Sequence, residues 1–247
     1  MKGSKIDLRK EEFERMFNEG FSDYKIADAL GINHCTVFQY RKKHNYIRNS
    51  LKENPYVRIE KEELNIILGT VVGDATLRKE YKNTKYVTSH SIAQKQYCEY
   101  IVEKLHSLGA KIYYSKRNIP DKRTGKLYES YICTLPSNPA LNDLYTLFYP
   151  NGKKVIPNNQ FFKEHFNEIS LAYLYMDDGN KMQNGYSIAT MCFSIEEILE
   201  FRKLLFDKFN LETSMFSDKR IYIKAKSKEH FKELILPYIH ETMMYKL

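Results

Sequence analysis

The sequence predicts an α+β protein: two tandem αββαββα units packed as a pseudo-dimer, preceded by a small all-α helix-turn-helix module. Three observations predict it. From about residue 61 onward, one order of helix-like and strand-like segments occurs twice, the mark of an internal duplication. Two apolar helical stretches, "ILGTVVGDA" and "LAYLYMDDG", end on acids at matched places, Asp74 and Asp178, 104 residues apart. Before residue 48, two short capped helical patterns meet at a glycine.

Bulk properties narrow the class. The net charge is +8 and the sequence pI about 9.0, a balance that favours polyanionic partners, nucleic acid first. No apolar run reaches the roughly 18 residues that span a bilayer. The opening "MKGSKIDLRKEEFERMF" lacks the apolar core of a signal peptide, so a non-secreted protein is expected, in the nucleoid-bearing cytoplasm or a DNA-containing organelle. Cys35, Cys98, Cys133 and Cys192 lie far apart, which suits reduced thiols and neither a disulfide frame nor a zinc site. The chain has twenty tyrosines and no tryptophan; tyrosine suits strands and can also bond phosphates.

Residues 1–48 divide into three helices. Leu8, Phe13, Met16 and Phe17 make an apolar stripe over 6–18. "SDYKIADALGI" starts on Ser22 as N-cap, and "NHCTVFQYRKKH" starts on Asn33. Two helices joined at a glycine fit a helix-turn-helix, with the third helix as reader. Its outward candidates are His34, Thr36, Gln39, Arg41, Lys42 and Lys43. A plain three-helix cap with a solvated basic face is the alternative. Residues 49–60 are polar, carry Pro55 and read as a linker.

The first half, 61–150, runs helix, strands, helix closed by Gly109, two strands around a polar tip, helix. Residues 151–168 connect. The second half, 169–247, repeats the order with "SIEEILEFRKLLFDKF" as middle helix and "KEHFKELILPYI" as the last. Gly69 and Gly73, four apart, share one helix face and admit a second backbone, so the two lead helices are expected to cross at the pseudo-dimer axis. Gly179 reads as the left-handed residue past a helix end.

The lead helices pose an electrostatic problem. A carboxylate at a helix C-terminus is disfavoured by roughly 0.3–1 kcal/mol, and here two such ends converge. A divalent cation reverses the sign. Carboxylates and helix-end carbonyls are hard oxygen donors that suit a partly hydrated Mg²⁺ shared with a phosphate. One "DDG" alone is an ordinary turn; two acids at matched places in a duplicated frame favour the metal. Asp177, whose counterpart is Gly73, takes at most a secondary role.

The two motifs, together with "KKVIPNN" (153–159) and the terminal "MMYKL", resemble the LAGLIDADG homing endonucleases in their single-chain, two-motif form, from about Glu62 to Leu247. The resemblance implies two sheets forming a saddle over double-stranded DNA. It implies metal binding by Asp74 and Asp178, with help from the backbone at Gly73 and Asp177, and catalytic lysines at Lys154 and Lys246. It further implies a Mg²⁺-dependent double-strand endonuclease leaving short 3′ overhangs, with Mn²⁺ or Ca²⁺ able to replace Mg²⁺ in binding. A monomer with no protein partner and no membrane association is expected. Two departures stand out: Ala75 follows the first acid where many members have glycine, and Tyr173 stands where the first motif has Gly69. The helix-turn-helix lies outside the family pattern and reads as an appended module.

Recognition is expected from the sheets. In "RIYIKAK", Arg220, Tyr222, Lys224 and Lys226 alternate with Ile221, Ile223 and Ala225, one set outward and one inward. "KIYYSKRNIPDKRTGK" offers Lys111, Tyr113, Lys116, Arg117, Lys122, Arg123 and Lys126 around a hairpin. A non-catalytic DNA-binding regulator and an RNA-binding intron maturase remain open as alternatives.

Overall fold

The computed structural model describes residues 6–46, 56–80, 82–122 and 124–247. The chain divides into two compact units, 1–54 and 55–247. Most of the expected linker, and Arg123, lie outside the described residues. Among the described residues no helix is long and apolar enough to cross a membrane.

The first unit holds α1 (Lys10–Asn18), α2 (Asp23–Ala29) and α3 (His34–Lys43). The Ser22 hydroxyl accepts from the Lys25 amide (3.3 Å) and Asn33 Oδ1 from the Cys35 amide (2.8 Å), so both helices start on their caps. Phe13, Phe17, Ile26, Leu30, Val37 and Tyr40 close a separate core. Leu8 does not join it: residues 7–9 form a 3₁₀ turn, the 3.6-residue period fails there, and Ile6 is buried while Leu8 is 90% exposed. Arg41 is also corrected. One turn beyond Val37, it shares the inward face. Its guanidinium meets Asp23 through Nε (3.0 Å) and Nη2 (3.1 Å), and donates from Nη1 to Tyr46 O (3.0 Å). It ties α3 to the start of α2. His34, Gln39, Lys42 and Lys43 are exposed, and Thr36 is half-buried.

In the second unit the topology repeats. The first half is α4 (Lys61–Val72), β1 (Thr76–Glu80), β2 (Asn83–Ser91), α5 (Lys95–Lys104), β3 (Lys111–Lys116), β4 (Glu129–Thr134) and α6 (Asn142–Phe148). An unanticipated short helix, α7 (Gln160–His165), lies in the connection. The second half is α8 (Glu168–Asp178), β5 (Gly179–Met182), β6 (Gly185–Ile188), α9 (Ile195–Phe209), β7 (Thr213–Met215), β8 (Ile221–Ile223) and α10 (Lys228–Ile235). Each half carries a four-stranded antiparallel sheet, ordered β1-β2-β4-β3 and β5-β6-β8-β7. Strand β8 is shorter than the alternation suggests. Lys224 leads into a 3₁₀ turn at Ala225–Ser227, which leaves Ala225 exposed instead of in the core.

α4 and α8 are apolar nearly all round and therefore buried on most sides. They cross with backbone in contact. A Cβ at Gly69 would collide with the main chain of Ser170, and one at Gly73 would lie 2.7 Å from Asp177 Cβ. Ser170 Oγ donates to Asn65 O across the crossing (2.8 Å). Gly179 is not left-handed: at φ −79°, ψ 151° it opens β5, and it is glycine because a Cβ would strike Tyr175. Gly69→Val should therefore push the lead helices apart and cost roughly 1–3 kcal/mol or more. Denaturant unfolding reads this, and an unchanged midpoint would contradict the contact.

Candidate metal centre and nucleic-acid surface

The crossing sets where the acids stand. α4 ends just before Gly73 and Asp74; α8 ends on Asp178. Asp74 is the more open, its side chain 46% exposed, and Asp178 is half-buried. Each helix end receives a lysine. Lys154 Nζ donates to Gly73 O (2.6 Å) and Ala75 O (3.0 Å). Lys246 Nζ donates to Met176 O (2.6 Å) and Asp177 O (3.0 Å). Both ammonium groups sit where the helix dipole is negative, a favourable place for a cation. The backbone at Gly73 and Asp177, assigned to metal binding from the sequence, thus already carries lysine hydrogen bonds, with the second lone pair of each carbonyl left over. The lysines are held by packing: Val155 N donates to Phe148 O (2.9 Å), and the Tyr175 hydroxyl donates to Lys246 O.

Electrostatics report the crowding. Burial, and next the charge of Asp74, push the Asp178 carboxyl up to about 7, against the pull of Lys154 and Lys246. Burial lowers the pKa of both lysines, with the nearby acids opposing it. Asp177 is buried and pushed well above the carboxylate range, first by burial and then by Asp74.

Asp177 has a larger part than the sequence suggested. Its Oδ1 accepts from the Tyr97 hydroxyl (2.8 Å) and its Oδ2 from the Asp74 amide (3.2 Å). The carboxylate reaches across from the second half into space that Gly73, lacking a Cβ, leaves open. His90 was missed altogether. It lies on β2, its Nδ1 3.8 Å from Asp74 Oδ2 and its ring edge-on to Tyr97 at 5.0 Å. Its signal was the period-2 series Tyr86, Thr88, His90, all buried. Burial lowers its pKa, with Asp74 opposing and Lys246 reinforcing. The donor set suits a divalent cation: the charge of Asp74 raises the pKa of both Asp177 and Asp178, a cluster short of a counterion, and carboxylate oxygens are hard ligands.

Strand register defines the outward faces. Opposite the buried row of Leu77, Tyr86 and Cys133 run Thr76, Val87, Thr134 and Lys111, then Ser89, Ile132 and Tyr113, with Arg78 beside Lys85. In the second sheet Asn180, Ser187, Tyr222 and Ser214 pair as the equivalent row, of which Ser187 is buried and the other three reach the surface. Arg78 was overlooked because β1, "TLRKE", is short and polar, and Lys85 and Ser89 on β2 were not singled out. Several basic candidates are engaged within the protein. Lys116 shares the face of Ile112 and pairs with Glu129 (2.9 Å). Arg220 binds Asp218 (2.8 Å) and stacks on Phe216, and Lys224 and Lys226 approach Glu212. The Tyr222 hydroxyl donates to Asn184 O (2.8 Å). Arg117, Lys122 and Lys126 stand exposed at the hairpin tip, Arg117 3.9 Å from Asp121.

A duplicated αββαββα chain with two acids at crossed helix ends defines the LAGLIDADG class. The chain belongs to the LAGLIDADG DNA endonuclease family, whose model matches residues 64–234. It is similar to cytochrome b mRNA maturase bI2 of Debaryomyces hansenii, 29% identical over 201 residues, which cover 76% of this chain and 74% of the relative. It is also similar to intron-encoded endonuclease ai4 of Dictyostelium discoideum, 35% identical over 147 residues, 54% of this chain and 92% of the relative. Among solved structures it matches the homing endonuclease I-WcaI bound to its DNA recognition sequence, with a TM-score of 0.69 and 25% identity, over 86% of this chain and 92% of that one.

The raised pKa of Asp178 has a stability consequence. Between the ordinary aspartate value of 3.8 and about 7, the folded state keeps a proton that the unfolded chain has released. Metal-free stability therefore falls as pH rises through that window. Relative to wild type in EDTA, Asp178→Asn should gain melting temperature from pH 5 to about pH 7 and level off above it. A difference that does not change with pH would contradict the shift.

Proposed function

We propose that the protein is a site-specific, Mg²⁺-dependent DNA endonuclease that hydrolyses one phosphodiester in each strand across the minor groove, leaving short 3′ overhangs. The observation that carries this reading is the pairing of Asp74 and Asp178 at crossed helix ends, each end bound by its own lysine, Lys154 or Lys246. Asp74 and Asp178 would hold the cation. When bound, a divalent cation supplies Lewis acidity and makes a coordinated water more acidic. The remaining work belongs to the chain. Lys154 and Lys246 keep positive charge at the helix ends, where it offsets charge building on a phosphate. Asp177 and Tyr97 fix the main chain from which Asp74 projects. The outward rows of the two sheets would enter the major groove on either side, with Lys111, Arg117 and Lys122 on phosphates. The chain acts as a monomer, because it supplies both acids itself. Residues 1–48 form a second DNA-binding module, with Gln39, Lys42 and Lys43 outward, and tethering raises its effective concentration on the same duplex.

Similarity to an mRNA maturase supports a second reading, in which an RNA is the partner. Selection on a random or genomic DNA library separates the two. The endonuclease reading expects linear product with Mg²⁺ and none with EDTA. Asp74→Asn or Asp178→Asn should slow cutting by on the order of 10³-fold with DNA retention in gel shifts little changed, and Lys154→Met by about 10²-fold. Full-rate cutting by either aspartate variant would refute the assignment of the acids. Specific binding to the RNA of its own intron, without DNA cleavage, would favour the maturase.

A further inference from the structure

His90 takes no part in the chemistry above, yet its setting is that of a ligand. The side chain is 1% exposed. Its Nε2 lies 3.1 Å from Thr88 Oγ1, a hydroxyl that can take the Nε2 proton. That leaves the lone pair on Nδ1, which faces Asp74 Oδ2 at 3.8 Å, beyond hydrogen-bond length. A hydrogen bond to the far nitrogen is the arrangement that fixes the tautomer and direction of a metal-binding imidazole. One donor atom each of Asp74, His90 and Asp177 lie within 4.8 Å of one another. The oxygens of Asp177 accept one hydrogen bond each, from Tyr97 and from the Asp74 amide, and each keeps a second lone pair. Asp74 opens the cluster to solvent, by which an ion and its waters can enter.

Among the described residues the second half has no such cluster. Thr76 pairs with Val87 as Asn180 pairs with Ser187, so the position equivalent to His90 is Thr190. Thr190 is buried and donates to Lys219 O (2.5 Å). The position equivalent to Asp177 is Gly73, which offers no side chain.

We propose that Asp74, His90 and Asp177 form a mixed nitrogen and oxygen site for one first-row transition-metal dication, preformed in the absence of DNA and confined to the first half. This rests on the reading of Asp74 as a metal ligand and adds the class of ion. Imidazole nitrogen suits Co²⁺, Ni²⁺ or Zn²⁺ best; Mn²⁺, the weakest binder of the first-row series, still accepts it more readily than Mg²⁺, which takes oxygen ligands and keeps its waters. The two halves of the nuclease would then differ in the metal they select.

The test uses the full chain, without DNA, and Mn²⁺ as the probe. Electron paramagnetic resonance should count one tightly held Mn²⁺ per chain, with Mg²⁺ competing for the site about tenfold or more weakly. The bound ion should show ¹⁴N coupling in pulsed spectra. His90→Gln should abolish that coupling and weaken Mn²⁺ by about tenfold, with Mg²⁺ affinity changed less than about twofold. Because His90 is buried, a wild-type measurement stands beside the variant: of the seven histidines, His90 should be the first whose ring resonances broaden on Mn²⁺ addition. Absence of Mn²⁺ binding, bound Mn²⁺ without nitrogen coupling, or coupling that survives His90→Gln overturns the site. Those results leave Mg²⁺-dependent cutting untouched, whereas cutting that survives Asp74→Asn overturns the nuclease assignment.

Discussion

The backbone contact between α4 and α8 at Gly69 is the constraint on which the rest of the molecule depends. It places two helix C-termini side by side, with their partial negative charges, and adds a carboxylate to each. An arrangement of this kind needs positive charge. Lys154 and Lys246 supply part of it by bonding the terminal carbonyls. The part they do not supply is recorded in Asp178, whose carboxyl is held near neutrality by burial and by Asp74. The site is thus crowded with negative charge and ordered sterically, the combination on which the proposed cation site rests.

The duplication is imperfect, and its flaws are chemically informative. Where the first motif has Gly73, the second has Asp177, and the missing Cβ on one side makes room for the carboxylate on the other. Tyr97 and the Asp74 amide then satisfy that carboxylate, so each half helps to hold the other's acid in place. Charge outside the centre is partly spent on internal structure. Arg41, Lys116, Arg220 and Lys226 all pair with acids. The outward strand rows are instead rich in serine, threonine, asparagine and tyrosine, groups that can both donate and accept hydrogen bonds. The many tyrosines also serve as core: Tyr86, Tyr97, Tyr173, Tyr175 and Tyr186 are buried, filling the volume of large aromatics in a chain without tryptophan.

Much of this was legible in the sequence because it is written in local patterns. Caps at Ser22 and Asn33 and the glycine pair at 69 and 73 depend on residues near one another in the chain, and the duplicated order and matched acids show when two such local patterns are laid side by side. The rest depends on distant partners. Strands β1 and β5 are polar and exposed, so they lack the alternation that marks a strand, and only pairing with β2 and β6 defines them. Arg41 looked outward until Asp23 turned it in. Gly179 looked left-handed because its real constraint, the Tyr175 ring, is a contact and not a dihedral angle. That His90 stands beside the acids was not legible, because nothing in its neighbourhood of sequence is acidic; Asp74 and Asp177 reach it through the fold.

The most direct measurement is a structure of the protein on a duplex it cuts, with Ca²⁺ or Mn²⁺ in place of Mg²⁺. Metal density touching both Asp74 and Asp178, with a scissile phosphate at the same place, is the result expected. Carboxylates turned apart, or metal bound away from the crossed helix ends, would contradict the account.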